Sequence, residues 1–186
     1  MYRLFSAAAI ALSLFLLGAC DDAGRSSAPQ LEAKVGGHGE QRLIQMMDAC
    51  DPESFNAAVG PGTCIRSGGL SFPKFLSLLG KHQKVGAWHF APPTLNARVG
   101  QELVAVNHGG EVHTFTEVEE FGGGGIVPAL DTLSGNLIPA PECLALDPDD
   151  FVPPGGTYSD EVEEAGTERY QCCIHPWMRT IVTARE

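Results

Sequence analysis

Two periods of apolar residues divide the chain. Between residues 40 and 84 the spacing is helical: Leu43, Ile44 and Met47 share one face, Asp51-Pro52 pairs an N-cap with a proline at the first helical position, and Gly60 stops that short segment. Ser71 caps a further helix carrying Phe72, Phe75, Leu76 and Leu79 and ending at Gly80. From Val85 the period becomes two. Val85 to Phe90, Glu102 to Asn107, Val112 to Thr116, Arg169 to Cys173 and Thr180 to Ala184 are short runs rich in Val, Thr, Ile and aromatics, separated by Pro and Gly punctuation. This pattern predicts an all-β Greek-key sandwich over 85–186, preceded by a small helical extension over 40–84. A Gly- and Pro-rich connection spans 121–154. Its run Gly122 to Gly125 lacks the lysine of a phosphate loop and reads as a flexible turn, and Asp147 to Asp150 reads as a solvated acidic loop without the spacing of a calcium site.

Composition narrows the classes. At 186 residues, 44% hydrophobic and 19% charged, the chain holds one globular domain plus appendages. Its 12 basic against 23 acidic residues give a formal charge of −11, which argues against nucleic acid and for a basic macromolecular partner. Tyr2 and Arg3 precede the uncharged run Leu4 to Ala19, too short for a comfortable membrane span, and Leu17-Gly18-Ala19-Cys20 resembles a bacterial lipobox. Residues 1–19 are thus expected to be a lipoprotein signal peptide, Cys20 the lipidated residue and 20–39 a flexible tether; an ordinary cleaved signal or an uncleaved anchor are the alternatives. Each places the folded part outside the cytoplasm, and the lipid reading puts it on the periplasmic side of a bacterial membrane. Five cysteines then remain where disulfides are permitted, an odd number. Cys50 and Cys64 flank the middle helix, and a bridge between them closes a short loop worth ~3 kcal/mol.

The densest chemistry is Tyr170-Gln171-Cys172-Cys173-Ile174-His175-Pro176-Trp177-Met178, which sets a thiol, an imidazole and a thioether in one loop leaving a strand. A Cys and two His in a plane with a weak axial Met is a blue-copper donor set, in which soft sulfur suits Cu(I) and imidazole tolerates Cu(II). The second histidine is sought in Val104 to Phe115, where His113 opens a strand after Gly109-Gly110 and His108 sits in the turn; His113 is preferred. His38, His82 and His89 read as solvated or structural, Met46 and Met47 as packing, and Trp88 as core.

Over Trp88 to Glu186 this order of strand, Asn107, turn, His113-Thr114, long connection and Cys172-x-x-His175-x-x-Met178 resembles the cupredoxins, the small blue copper proteins, with a ligand loop most similar to that of amicyanin. The resemblance implies one type 1 copper on His113, Cys172, His175 and Met178, with Asn107 and Thr114 supporting the thiolate. It also implies a His175 ring edge at the surface as electron port, inside an apolar docking patch with Pro176 and Trp177. Thr114 stands where the family commonly has an asparagine, and neither the 40–84 segment nor the length of 121–154 has a counterpart in its small members. Neighbouring side chains on a strand face opposite ways, so Cys172 and Cys173 cannot both serve one ion. Cys143 is the partner left for Cys173.

The expected function is single-electron transfer between periplasmic redox proteins, with a c-type cytochrome as a fitting basic partner, no small-molecule substrate and no enzymatic activity. The alternative is a module that stores, delivers or senses copper. Structural zinc seldom uses methionine, and a cysteine nucleophile leaves the spacing of His175 and Met178 unexplained.

Overall fold

The computed structural model describes residues 40–186 except Ser67; the expected signal peptide, Cys20 and the 20–39 tether lie outside the described residues. Ten strands alternate with short helices: β1 (Arg42–Met47), α1 (Pro52–Ala58), α2 (Phe72–His82), β2 (His89–Ala91), β3 (Thr94–Arg98), β4 (Glu102–Asn107), β5 (His113–Thr114), β6 (Thr116–Glu117), α3 (Pro128–Ser134), β7 (Phe151–Val152), β8 (Thr157–Glu161), β9 (Gly166–Gln171) and β10 (Arg179–Arg185). One sheet has the order β2-β1-β4-β8, a second β3-β10-β9-β6, and β5 pairs with β7 in a separate ribbon. Both four-stranded sheets mix parallel and antiparallel pairs, with β1 parallel to β4 and β3 parallel to β10. Burial alternates strictly along β3, β4 and β10, so each presents one face inward. Ile44, Leu103, Ala105, Phe115, Tyr170 and Val182 meet in the core between the sheets.

The first segment corrects the sequence reading. Arg42–Met47 is a strand, not a helix: Ile44 and Met46 are fully buried while Leu43 is 59% exposed, a period of two. Leu-Ile-Gln-Met-Met satisfies either period over so short a run, and the slot between β2 and β4 decides it by supplying backbone partners on both sides. Residues 40–84 are therefore not an appendage, since their first strand lies inside a sheet. The two later helices follow their signals. Asp51 caps α1 by accepting from the Ser54 N–H at 3.0 Å, and Gln83, at φ 59°, closes α2 in the left-handed region. Phe55 of α1 and Phe75 of α2 bury their rings against Trp88, at centroid distances of 5.8 and 4.7 Å.

Other boundaries shift as well. Val85 to Trp88 forms a turn closed by the Trp88 N–H on the Val85 carbonyl, and pairing begins only at His89. β3 and β8 are additions to the pattern read from the sequence. β8 is an edge strand with little burial, carrying Asp160 and Glu161, which leaves the weakest periodic signal.

The long connection is ordered structure rather than a loose insertion. Gly122 to Gly125 are not a flexible turn: the Gly124 and Gly125 N–H groups donate to the Asp131 carboxylate at 2.7 and 3.0 Å, and a Cβ on Gly124 would collide with the Cys173 carbonyl. Asp147 and Asp150 cap one another across a short 3-10 turn. The connection returns through β7, where Val152 pairs with His113. Disulfides join Cys50 to Cys64 and Cys143 to Cys173, with Cα separations of 6.1 and 5.5 Å. The second ties the connection to the end of β9.

Candidate metal centre

Strand chemistry places the donors. β9 ends at Gln171 and the chain turns through Cys172 to Met178 before entering β10. The loop is closed by its own backbone: the Cys172 N–H donates to the Met178 carbonyl at 3.0 Å and the Met178 N–H to the His175 carbonyl at 2.8 Å. Two further N–H groups, of His175 and Thr114, point at the Cys172 sulfur at 3.4 Å each. His113 is delivered from the other side by the β5–β7 ribbon. Asn107 rigidifies the turn before it, donating to the Glu111 and Val152 carbonyls at 2.8 Å each and accepting from the Gly109 N–H.

The result is a buried cluster. His113 and Cys172 are fully buried, His175 is 2% exposed and Met178 fully buried in the same core. The Nδ1 atoms of both imidazoles face the Cys172 sulfur, at 3.9 Å for His113 and 3.8 Å for His175. Burial pushes the Cys172 thiol up, but the two imidazoles outweigh it and hold it well below the ordinary thiol range. Burial likewise disfavours a charged His113, yet Asp48 and Cys172 raise it to about 9. A sulfur that favours its charged form beside two imidazoles is suited to a soft cation, and thiolate, two imidazoles and thioether fit copper better than zinc or a hard cation. Among the described residues, Cys172 is the one free cysteine. His113, Cys172 and His175 are brought together as a group that could hold a metal ion.

The arrangement around the thiolate departs from expectation in one helpful way. Thr114 gives its backbone N–H to the sulfur, while its hydroxyl accepts from the Cys173 N–H at 2.8 Å. The hydroxyl thereby fixes the peptide that follows the thiolate. Cys173 faces away, into a second small core with Val118, Ala140 and Cys143.

The His175 edge is a correction. The ring is not at the surface: Phe75 of α2 and Trp88 lie over it at centroid distances of 6.5 and 6.4 Å, and its Nε2 meets Glu111 at 3.6 Å. Pro176 is buried as well, and Trp177 is half-buried, edge-on to His175 at 5.5 Å. The cover comes from residues 72–88. The ligand motif lies far from that segment in sequence, so it carries no sign of the cover.

Asp48 and Glu111 are the residues that sequence reasoning passes over. Asp48 Oδ2 lies 3.0 Å from His113 Nε2 and accepts from the Gly110 and Glu111 N–H groups at 2.9 and 3.0 Å. Its burial raises the carboxyl, and those partners, His113 first, reverse this and hold it at about 2. Glu111 accepts from Trp88 Nε1 at 2.7 Å. Nothing in the local sequence marks either acid; only the parallel register of β1 on β4 brings Asp48 to the His113 loop. His82, His89 and His108 are exposed and stand apart from the cluster.

Two four-stranded mixed sheets, with His113, Cys172 and His175 brought together and Met178 on the same loop before the last strand, decide the architecture. The fold is cupredoxin-like. No protein-family model matches the chain, and no curated protein sequence does. Solved structures do: a purple cupredoxin from Nitrosopumilus maritimus at 17% identity, covering 77% of this chain and 99% of that one with a TM-score of 0.44, and the amicyanin of Paracoccus versutus at 16% identity, covering 55% and 77% with a TM-score of 0.36. A methionine-to-alanine mutant of amicyanin in its Cu(I) form aligns at 21% identity over 52% of this chain and 73% of that one, with a TM-score of 0.35. With TM-scores below 0.5, these likenesses add no weight to the strand order and donor geometry.

Proposed function

We propose that the chain binds a single type 1 copper ion through His113, Cys172, His175 and Met178 and carries single electrons between redox proteins outside the cytoplasm. The observation that carries this reading is the convergence of two Nδ1 atoms on one buried sulfur at 3.8 and 3.9 Å. When bound, the metal supplies one-electron exchange between Cu(II) and Cu(I). The chain supplies the rest. The backbone bonds across Cys172 to Met178 hold the donor loop in one geometry for both oxidation states, and the N–H groups on the sulfur stabilise its negative charge. Burial under Phe75 and Trp88 keeps bulk water from the donors.

The two disulfides accord with an exported protein, and the lipobox-like Cys20 supports anchoring to a bacterial membrane facing the periplasm. A cleft lined by Glu117, Asp160, Glu161, Glu163, Glu164 and Glu168 concentrates negative charge on one face, which favours a basic partner such as a c-type cytochrome, attracted less as salt rises. With the His175 edge covered, half-buried Trp177 is the nearest aromatic surface from which an electron can leave. The preformed site also weighs against copper storage or delivery, which needs donors open to exchange.

The test is a visible spectrum of the soluble part, from residue 21 onward, after addition of Cu(II). An intense thiolate-to-copper band that vanishes in Cys172→Ser is expected. Its absence, or its survival in that variant, refutes the copper reading, whereas a band joined to fast Cu(I) transfer and slow electron exchange points to delivery instead.

A further inference from the structure

Each of the two imidazoles is backed by a carboxylate, and neither acid belongs to the ligand motif. Asp48 follows β1, 65 positions before His113, and its side chain is 1% exposed. Three backbone N–H groups, from Cys50, Gly110 and Glu111, aim at its two oxygens, so the carboxylate cannot swing away. Glu111, with a side chain 10% exposed, sits 3.6 Å from His175 Nε2 and is steadied by the Trp88 indole. An ionised carboxylate only accepts hydrogen bonds. The neutral His113 ring, 3.0 Å from Asp48, must therefore present its proton at Nε2, which leaves the Nδ1 lone pair for the side that faces Cys172.

The same two groups put negative charge behind the donors in surroundings where charge is weakly screened. An ion that alternates between two positive charges and one is stabilised more in the higher state by a nearby anion. Asp48 is nearer to its imidazole and better shielded than Glu111, so its effect is the larger.

We propose that Asp48 is a positioning residue of the copper centre, which locks the neutral His113 ring in the Nε2–H tautomer, and that Asp48 and Glu111 together lower the reduction potential of the bound ion. The proposal rests on the copper reading above. The electron step is Cu(II) plus one electron giving Cu(I), with no bond made or broken at either acid; in the test the ferrocyanide/ferricyanide couple supplies and accepts that electron.

Two measurements decide it. In copper-loaded protein titrated with ferrocyanide, Asp48→Asn keeps an acceptor for Nε2 but removes the charge, and it is expected to favour reduction on the order of tenfold in the equilibrium constant. Glu111→Gln moves it the same way by less. In metal-free protein brought to alkaline pH, where His113 is neutral, ¹⁵N NMR is expected to show Nε2–H on that ring, a preference lost in Asp48→Ala. An unchanged equilibrium in both isosteric variants with the visible band intact, or an Nδ1–H tautomer of neutral His113 in the parent, overturns the proposal. Should Asp48→Asn not fold, Glu111→Gln decides by the same criterion. Failure of the copper reading shows separately, as a parent without the thiolate band, and the metal-free tautomer measurement then stands by itself.

Discussion

The loop from Cys172 to Met178 and the segment from Arg42 to Trp88 do opposite kinds of work at one site. The loop brings three of the four donors within seven residues and closes itself with two backbone hydrogen bonds. The segment brings no donor, yet it provides the carboxylate behind His113, the indole that steadies Glu111, and the aromatic cover over His175. Donor identity is thus local, while the surroundings that set how those donors behave are assembled across the sheet. Two chains with the same short motif can therefore differ widely in potential and in exposure.

Breaking the distant half tests this division most severely. Phe75→Ala removes a ring that is 2% exposed and touches Phe55, Phe72, Trp88, His175 and Trp177, and is expected to cost ~3–5 kcal/mol in denaturant unfolding while leaving the thiolate band in place. Loss of the band would show that the loop does not hold its donors unaided. Replacing Cys143 and Cys173 together by alanine frees the connection from the donor loop. The loop-entropy relation puts the loss of stability at ~3–4 kcal/mol, measurable as a lowered midpoint under non-reducing conditions. Since Thr114 still holds the residue-173 N–H, the band is expected to keep its position.

Gly124→Ala probes the connection from its other side. The new methyl meets the Cys173 carbonyl, and the strain is expected to cost ~1–3 kcal/mol and to shift the band, because the Cys173–Ile174 peptide it pushes lies between Cys172 and His175. The smallest effect lies far from the donors. Burial and the neighbouring acids raise the Glu117 and Glu168 carboxyls above their ordinary 4.5. A carboxyl raised in the folded state binds protons there that the unfolded chain has released, so its repulsion is relieved as pH falls from neutrality through the raised value toward 4.5. Both groups reach solvent, which screens them, so the expected gain in thermal midpoint is slight; it should shrink further in Glu163→Gln.

What can be read from the chain follows the same division. Cys172, His175 and Met178 announce themselves because coordination demands particular atoms at particular spacings, and parity then assigns the remaining cysteines. Strands such as β4 and β10 show because one face is buried throughout. β1 reads as a helix because its short apolar run satisfies two periods at once and only the neighbouring strands choose between them. Asp48 and Glu111 are invisible for a related reason: an acid beside a proline-capped helix or a Gly-Gly turn has an ordinary local explanation, and its service to a distant imidazole depends on strand register. The buried His175 edge escapes because a motif describes what surrounds itself in sequence, not what the rest of the chain lays over it.

The adjacency of Cys172 and Cys173 turns maturation into a matter of order. Before any bridge forms, Cys143 faces two thiols one residue apart, and thiol exchange favours whichever is the better nucleophile. In the unfolded chain His113 is not yet beside Cys172, so nothing there distinguishes the right thiol from the wrong one. The strand geometry that turns Cys173 toward Val118 and Ala140 has to form first, or metal has to arrive first. A chain oxidised before folding is then trapped as an isomer with one sulfur misplaced and no means of colour.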